Sequence, residues 1–197
     1  MIKPNAPSCE QNQQVILDVL KTLFIEPGEV LEIGSYTGQH AVYFTEHLPH
    51  INWYPGDLEE SHEGMKMWFS EVKHNRINTP LVLDVDMPEW NINKKDYVFS
   101  ANVTHIISLL QTERMFKHVG HVLKSGGLFA QYGPFNYDGN YTSESNANFD
   151  MWLKKRNPHS CIKDFETIEA YANQNGLKLF KDIEMPANNR ILVWEKL

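Results

Sequence analysis

Apolar residues along the chain follow two alternating patterns, the 3.6-residue period of amphipathic helices and the short continuous runs of buried strands. A first helix is predicted from Ser8, which forms a capping-box pattern with Gln11, to the turn at Pro27-Gly28. Further helices are predicted at 39–48, 61–75, 113–123, 148–156 and 164–176, and strands at 29–33, 52–55, 81–83, 97–99, 128–132, 177–184 and 191–194.

Polar and glycine residues predict where several of these helices begin and end. Ser61 and Asp164 stand where a side chain can cap a helix N-terminus. Ser125-Gly126-Gly127 favours a left-handed C-terminal cap for the helix before it. The aromatic residues of the helices (Trp68, Phe69 and Trp152) are assigned to the core because their spacing matches buried helix faces, with a base-stacking surface as the weaker alternative.

The order of these elements indicates an α/β fold with a mostly parallel sheet and helices on both faces. The short connection at 185–189 favours antiparallel pairing of the last two strands. A length of 197 residues fits a single domain, 1–197. Within it, 1–28 supplies an N-terminal helix and a pocket segment, and 133–148 is a long polar loop that can serve as a lid.

Composition and charge narrow the class of protein. The hydrophobic fraction of 42% supports a sizeable core, and the formal net charge of −7 argues against a general nucleic-acid-binding surface. No apolar stretch approaches the ~20 residues of a membrane span, and the polar, proline-containing N-terminus is unlike a signal peptide. We therefore expect a cytoplasmic protein in which Cys9 and Cys161 are reduced thiols, with a disulfide as the alternative. No metal site is expected, because no His, Cys, Asp or Glu cluster has ligand spacing.

The segment most informative about chemistry is 30–40, VLEIGSYTGQH. An apolar strand delivers Glu32 and Gly34 to its carboxyl end, and a loop through Ser35 leads to Gly38 at the start of a helix, the place where open α/β sheets bind ligands. The dinucleotide fingerprint is not met, since Tyr36 stands where a glycine is needed, and no G-K-[ST] follows as in a P-loop. An acid two residues before the first glycine suits a ligand that bears an amine. An ordinary strand-to-helix turn is the alternative.

Two further carboxylates stand at predicted strand ends. Asp57 follows the second strand, where it can accept both ribose hydroxyls of an adenosine. Asp84 follows the third strand, where it can accept from an adenine amino group. The alternatives are a solvated turn residue for Asp57, and a helix cap or turn residue for Asp84.

Glu32-x-Gly34-x-x-x-Gly38, followed by Asp57 and Asp84, resembles the class I S-adenosylmethionine-dependent methyltransferases. The whole chain resembles a small family known as a domain of unknown function, related to methyltransferase-like proteins. That resemblance implies a Rossmann-like, seven-stranded sheet with an antiparallel last strand, and S-adenosylmethionine contacts from these five residues. The motifs specific to the family lie at 38–44, 132–136, 142–146 and 184–189, and Tyr36 departs from the class, in which many members carry glycine there.

Residues for the methyl acceptor are expected after the fourth and fifth strands. Asn102 and His105 follow the fourth strand, and Asn102 is a further candidate to contact the cofactor. The amino-methyltransferase signature, which is Asp, Asn or Ser followed by two prolines and an aromatic residue, is absent. His105 is a candidate general base, or alternatively a histidine that packs or caps at a helix start. Tyr132, Asn136 and Glu144 are candidates to orient the acceptor, with a solvated loop as the alternative.

The function predicted from the sequence is methyl transfer from S-adenosylmethionine to a small-molecule acceptor. A non-catalytic S-adenosylmethionine-binding module or partner subunit, and a nicotinamide-dependent oxidoreductase, are the alternatives. The segment 4–14 is predicted to fold over the cofactor, whereas a frayed terminus is the usual state of such residues.

Overall fold

A computed structural model describes residues 2–197, which divide into two compact units. Unit 1 comprises the chain up to Asp84 together with Lys95–Ser100, and unit 2 comprises Val85–Lys94 and Ala101–Leu197. In unit 1 the elements are α1 (Pro7–Leu23), β1 (Gly28–Ile33), α2 (Gln39–His47), β2 (Ile51–Asp57), a 3-10 turn (Glu59–Ser61), α3 (His62–Phe69), β3 (Leu81–Val82) and β4 (Lys95–Ala101), whose last residue is assigned to unit 2. In unit 2 they are α4 (Leu109–Val122), β5 (Leu123–Gly133), β6 (Phe135–Asn136), α5 (Glu144–Arg156), β7 (Lys163–Asp164), α6 (Phe165–Gln174), β8 (Leu177–Met185), a 3-10 turn (Pro186–Asn188) and β9 (Asn189–Lys196).

The main sheet has seven strands in the order β3-β2-β1-β4-β5-β9-β8. In unit 1, β1 pairs in parallel with β2 and β4, and β2 pairs in parallel with β3. In unit 2, β9 runs antiparallel to both β5 and β8. The sequence prediction of a mostly parallel, Rossmann-like sheet with an antiparallel last strand is confirmed. A second sheet of two short strands, β6 and β7, was outside that prediction.

The core of unit 1 is built around aromatic rings between α2 and the central strands. Phe44 of α2 lies 5.6 Å from Trp53 of β2 and 5.5 Å from Phe99 of β4, measured between ring centroids. All three side chains are fully buried, as are Ile16 and Leu20 of α1. Burying such large apolar side chains is the main favourable term in folding, and these rings pack α2 against β2 and β4.

The core of unit 2 brings α4, β5 and β9 together. Phe116 of α4 packs edge-on against Phe129 of β5 at 5.7 Å and against Trp194 of β9 at 5.8 Å. Trp194 also donates from Nε1 to the buried amide oxygen of Gln131, 3.2 Å away. The indole thus buries its ring and still satisfies its one polar group.

Two of the three predicted N-caps are right in position. Ser61 and Asp164 are the N-cap residues of α3 and α6, although neither side chain makes a capping hydrogen bond, whereas Ala6, not Ser8, is the N-cap of α1. The capping box of this chain is at Ser108 and Gln111, which begins α4 at Leu109, four residues before the predicted start at 113. It escaped the sequence analysis because the first two residues of α4 are exposed leucines and do not follow the apolar stripe.

Two helix ends also differ from prediction because strand pairing competes with the helix. The predicted 61–75 helix ends at Phe69, since the chain must leave it for Ile77 to bridge to Trp53 of β2. Helix α4 passes directly into β5 at Leu123, so Gly126, with φ of 76°, lies within a strand and caps no helix.

All three aromatic side chains assigned to the core are incompletely buried, and Phe69 of α3 is half-buried. Trp152 of α5 is 48% exposed, and Arg156 lies over its ring. Trp68 of α3 is half-buried and donates to the carbonyl of Pro4. Helical spacing identifies a shared face, but only the neighbouring chain decides whether that face is covered.

Candidate functional site

The loop between β1 and α2 has the glycine-dependent backbone that the sequence indicated. Gly34 and Gly38 adopt φ of 75° and 84°, a region that favours glycine, and Tyr36 between them also has a positive φ of 48°. A Cβ on Gly38 would lie 2.7 Å from the ring of Phe69. Gly38 is therefore required by its backbone conformation and by packing against α3, whether or not a ligand contacts it.

The amide groups of this loop are used within the protein. The N–H groups of Gly34 and Ser35 donate to the carbonyl of Gly56, and that of Gly38 donates to the carbonyl of Ser35. The N–H of Tyr36 donates to Oδ2 of Asp57 at 2.7 Å. Because phosphate-binding loops present such amides to their ligand, a loop with these four already bonded is poorly suited to a pyrophosphate.

Glu32 lies beneath the loop and is 2% exposed. Its Oε2 accepts hydrogen bonds from Ser35 Oγ at 2.7 Å and from Trp53 Nε1 at 2.9 Å. Burial raises the pKa of the Glu32 carboxyl to about 7, against the lowering effect of these two donors. Ser35 Oγ in turn accepts from the N–H of Gly56, so Glu32 and Ser35 connect the loop to β2.

Asp57 ends β2 with a carboxylate held in one orientation. Its Oδ2 accepts from the N–H of Tyr36, and its Oδ1 accepts from the N–H of Leu58 at 2.7 Å and from Ser61 Oγ at 3.2 Å. The residue is half-buried, so it retains accessible surface for a ligand. Asp84 lies two residues past the end of β3, and the N–H of Leu83 before it donates to the carbonyl of Asp57.

The N-terminal segment packs onto this part of unit 1. The side chain of Gln39, the first residue of α2, accepts from the N–H of Ala6 at 2.6 Å and donates to Asn5 Oδ1 at 2.9 Å. Trp68 Nε1 donates to the carbonyl of Pro4 at 2.7 Å. The alternative of a frayed terminus is wrong for these residues. That the segment covers a cofactor stays a prediction.

A buried polar pair that the sequence analysis missed joins α1 to α2. His40 Nε2 lies 2.8 Å from Asn12 Oδ1, and His40 Nδ1 lies 4.0 Å from Glu32 Oε1. Burial lowers the pKa of His40 to about 4, which keeps the ring neutral at physiological pH. The available signal was Asn12, a polar residue on the apolar face of the first predicted helix.

In unit 2, Asn102 and His105 follow β4 as expected. Asn102 has φ of 62°, a left-handed conformation that asparagine tolerates, and its N–H donates to the carbonyl of Tyr132 at 2.9 Å. A Cβ on Gly133 would lie 3.8 Å from His105 Nδ1 and 3.9 Å from Asn102 Oδ1. These three residues, from the ends of β4 and β5, therefore adjoin one another.

His105 is 6% exposed, and its Nδ1 is buried with no hydrogen-bond partner. Burial, and secondarily the charge of Lys163, lowers the pKa of His105 to about 4. Its ring meets Phe149 of α5 edge-on at 5.1 Å. A buried nitrogen left without a partner is costly, and a ligand hydroxyl would supply one.

The other acceptor-side candidates fall into two groups. Tyr132 and Asn136 are buried at the end of β5 and in β6, and Oδ1 of Asn136 also lacks a partner. Glu144 is instead exposed as the first residue of α5, four residues earlier than the predicted start of that helix, because Ser143 Oγ accepts from the N–H of Asn146.

The predicted lid, 133–148, is an ordered segment that contains a strand, a turn and a helix start. β6 pairs with β7, and Tyr137 forms a turn with Asn140. Asn146 Nδ2 donates to the carbonyl of Asn188 at 3.1 Å, so this segment is joined to the connection between β8 and β9. Whether it moves as a lid stays a prediction.

Over residues 2–197, no group of His, Cys, Asp or Glu is arranged to hold a metal ion. In the same range, no helix combines the length and the apolar character that crossing a membrane requires. Cys9 and Cys161 are free thiols, as expected.

Comparison with protein families gives a match over residues 3–196 to a family described as "Protein of unknown function (DUF938)". The chain belongs to this family. Its fold is also similar to solved structures of methyltransferases, at identities too low to show more than the fold. One is an O-methyltransferase family protein from Burkholderia thailandensis, with 15% identity and a TM-score of 0.83 over 96% of this chain and 57% of that one. A second is human N-acetylserotonin methyltransferase in complex with SAM, with 14% identity and a TM-score of 0.80 over 96% of this chain and 52% of that one. A third is an O-methyltransferase family 2 protein from Planctomyces limnophilus in complex with apigenin, with 16% identity and a TM-score of 0.81 over 94% of this chain and 56% of that one.

The DUF938 chain thus spans a little over half of the length of each of these three structures. The similarity covers 94–96% of this chain. Because function depends on sites rather than folds, the residues of this chain must carry the functional argument.

Proposed function

We propose that this protein binds S-adenosylmethionine and transfers its methyl group to a small molecule. The observation that carries the proposal is the carboxylate of Asp57, held at the end of β2 by the N–H groups of Tyr36 and Leu58. A pre-oriented carboxylate at this place can accept the two hydroxyls of a ribose. The bonded amides of the preceding loop, at Gly34, Ser35, Tyr36 and Gly38, favour a nucleoside without a pyrophosphate over a dinucleotide.

The other cofactor contacts are proposed from the same elements. The loop residues Gly34, Ser35 and Gly38 let the ligand lie against the backbone, and Glu32 positions that loop from below through Ser35. Asp84 is proposed to accept from the adenine amino group, and Asn102 to contact the cofactor through its side chain. Within unit 1, Phe69 behind Gly38 and Gln39 at the start of α2 keep the loop in place.

S-adenosylmethionine, when bound, supplies an electrophilic methyl group on a sulfonium. His105 is proposed to take the proton from the acceptor, since its ring is neutral over the physiological range and its Nδ1 has no partner. Tyr132, Asn136 and Glu144 are proposed to orient the acceptor, with Asn136 Oδ1 able to accept from a second hydroxyl or amine. Because His105, Tyr132 and Asn136 are buried, water is kept away from the acceptor at these residues.

Two measurements test the proposal. Calorimetry with S-adenosylmethionine, its demethylated product and NAD should show binding of the first two only, and preferential binding of NAD would contradict the cofactor assignment. Incubation with methyl-labelled cofactor and pooled metabolites, protein and RNA, followed by separation by size, should place the label in the metabolite fraction. Binding without any turnover would identify a non-catalytic module. Label confined to macromolecules would refute a small-molecule acceptor.

A further inference from the structure

A cleft in unit 2 is lined by none of the residues proposed to contact the cofactor or the methyl acceptor. It has a volume of about 480 Å³ and is lined by Tyr137, Thr142, Glu184, Met185, Asn188, Asn189 and Arg190. That volume is within the range of small-ligand pockets. The cleft begins one residue after Asn136 and combines the two segments joined by the hydrogen bond from Asn146 to Asn188.

The guanidinium of Arg190 is the fixed point of this cleft. Its Nε donates to Asp182 Oδ1 at 2.7 Å, and the hydroxyl of Tyr137 donates to Oδ2 of the same carboxylate at 2.8 Å. The guanidinium carbon lies 5.7 Å from the centroid of the Tyr137 ring. Arg190 is thereby held on one side by a partly buried carboxylate and an aromatic ring, which orients the remaining edge of its planar fork.

The carboxylate of Glu184 forms a weak ion pair with the remaining edge of the Arg190 guanidinium. Glu184 and Arg190 are directly opposite each other on β8 and β9, and Oε1 of Glu184 is 3.1 Å from Nη1 of Arg190. The side chain of Glu184 is nevertheless 89% exposed. An exposed carboxylate is released from an arginine at little cost, because such ion pairs contribute about 0–1 kcal/mol.

The backbone beside this pair is strained. Ala187 and Asn188 are consecutive and both have φ of 57°, a conformation that asparagine tolerates but that costs alanine energy. The strain is maintained by two bonds of Asn188: its carbonyl accepts from Asn146 Nδ2 at 3.1 Å, and its side-chain amide donates to Ser145 Oγ at 3.2 Å. The wall of the cleft is therefore held in one shape.

We propose that this cleft binds a compact carboxylic acid, whose carboxylate replaces Glu184 on the guanidinium of Arg190. Glu184 marks the position because it already places a carboxylate oxygen there. A bidentate contact between a carboxylate and arginine is geometrically specific, and the amides of Asn188 and Asn189 line the same space. The inference rests on the proposed function only in taking this acid to be the methyl acceptor, since acid binding requires no cofactor.

Binding is tested on the full chain without cofactor, with benzoate as the probe and benzamide and benzylamine as neutral and cationic counterparts. We expect calorimetry or ligand-observed NMR to detect benzoate and to show much weaker binding of the other two. Glu184→Gln should tighten benzoate binding about two- to fivefold, because it removes the competing carboxylate. Glu113→Gln, an equal change of charge at an exposed residue of α4 outside the cleft, should leave the affinity unchanged.

Arg190→Gln should abolish benzoate binding, with circular dichroism used to check the fold. If that variant does not fold, Glu184→Gln decides alone, because an exposed side chain is dispensable for folding. Equal binding of benzamide and benzoate, stronger binding of benzylamine, or weaker benzoate binding in Glu184→Gln would each overturn the proposal. Methyl transfer to an acceptor without a carboxylate would leave the proposed function intact and refute the identification of this acid as the methyl acceptor.

Discussion

Buried polar groups have hydrogen-bond partners around the loop after β1 in unit 1, whereas two of them at the strand ends of unit 2 have none. Beneath the loop, the carboxylate of Glu32 accepts two hydrogen bonds and the ring of His40 is bonded to Asn12. At the strand ends of unit 2, His105 Nδ1 and Asn136 Oδ1 are equally buried but have no partner. Both regions follow the carboxyl ends of strands, so their position in the sheet does not account for the contrast.

The difference indicates that the two regions are suited to ligands in different ways. The region in unit 1 has its geometry completed by the protein, as expected where a fixed cofactor is held in one pose. The region in unit 2 leaves hydrogen-bonding capacity for a molecule that supplies the missing partners. Truncating side chains in the first region should therefore reduce stability and cofactor affinity, whereas truncating side chains in the second should reduce the rate of methyl transfer.

The largest expected effect is on turnover, from His105→Ala. If His105 removes the acceptor proton, kcat falls about 10²–10⁴-fold while cofactor affinity is unchanged. In the unmodified protein, kcat/KM should be lost as pH falls through about 4, where the ring becomes charged. The matched control is His118→Ala, a second buried histidine of unit 2 whose Nε2 is bonded to the carbonyl of Val85. Equal activity per folded molecule in the two variants would contradict a base role for His105.

The next effect is on stability, from Glu32→Ala. This change leaves the buried donors of Ser35 and Trp53 without an acceptor, at about 1–3 kcal/mol for each unsatisfied group. We expect a loss of about 2–4 kcal/mol in the free energy of unfolding, measured by urea denaturation. Glu32→Gln retains an acceptor and should lose less. A neutral effect of the alanine variant would show that the loop does not depend on this carboxylate.

The same residue predicts a dependence of stability on pH. The pKa of Glu32 is about 7 in the folded protein, against an ordinary value of 4.5. The folded state therefore binds the proton more tightly, so the stabilising contribution is present below pH 4.5 and is lost as pH rises to about 7. The stability difference between the unmodified protein and Glu32→Gln should fall by about 3 kcal/mol over that range. A difference independent of pH would refute the raised pKa.

A smaller effect is expected on cofactor affinity from Asp57→Ala. Losing charge-assisted hydrogen bonds to the ribose costs about 1.5–3 kcal/mol each, or about tenfold or more in Kd. Asp18→Ala serves as the control, because it removes an exposed carboxylate of unit 1 that is bonded only within α1. Calorimetry with S-adenosylmethionine, together with thermal unfolding, separates lost contacts from lost structure. Unchanged affinity would contradict the assignment of Asp57.

The smallest effect is expected from deleting residues 1–5. The deletion removes the contacts of Asn5 with Gln39 and of Pro4 with Trp68 but leaves α1 intact. We expect S-adenosylmethionine affinity to fall about two- to tenfold, equivalent to roughly 0.4–1.4 kcal/mol. Lys66→Ala, which breaks an exposed ion pair to Glu63 outside the deleted segment, should have no effect. If the shortened protein binds as tightly as the full chain, the segment does not cover the cofactor.

Much of the fold and part of the candidate site could be predicted from local patterns in the sequence. The strand before Gly34, the positive φ at Gly34 and Gly38, and the place of Asp57 at a strand end depend on neighbours in the chain and on hydrophobic periodicity. The hairpin of β8 and β9 followed from one short connection. These features need no knowledge of distant residues, because glycine conformations and apolar periods act over a few positions.

Tertiary structure alone decided which distant residues meet. The bridge from Ile77 to Trp53 shortened a helix that its own sequence would have continued. The opposition of Glu184 to Arg190 and the hydrogen bond from Tyr137 to Asp182 complete a cleft that brings together the family motifs at 142–146 and 184–189. Such contacts join residues far apart in the chain, and their energy depends on burial and on partners. The type of a residue determines which hydrogen bonds its side chain can make, but the tertiary structure determines which partners it meets.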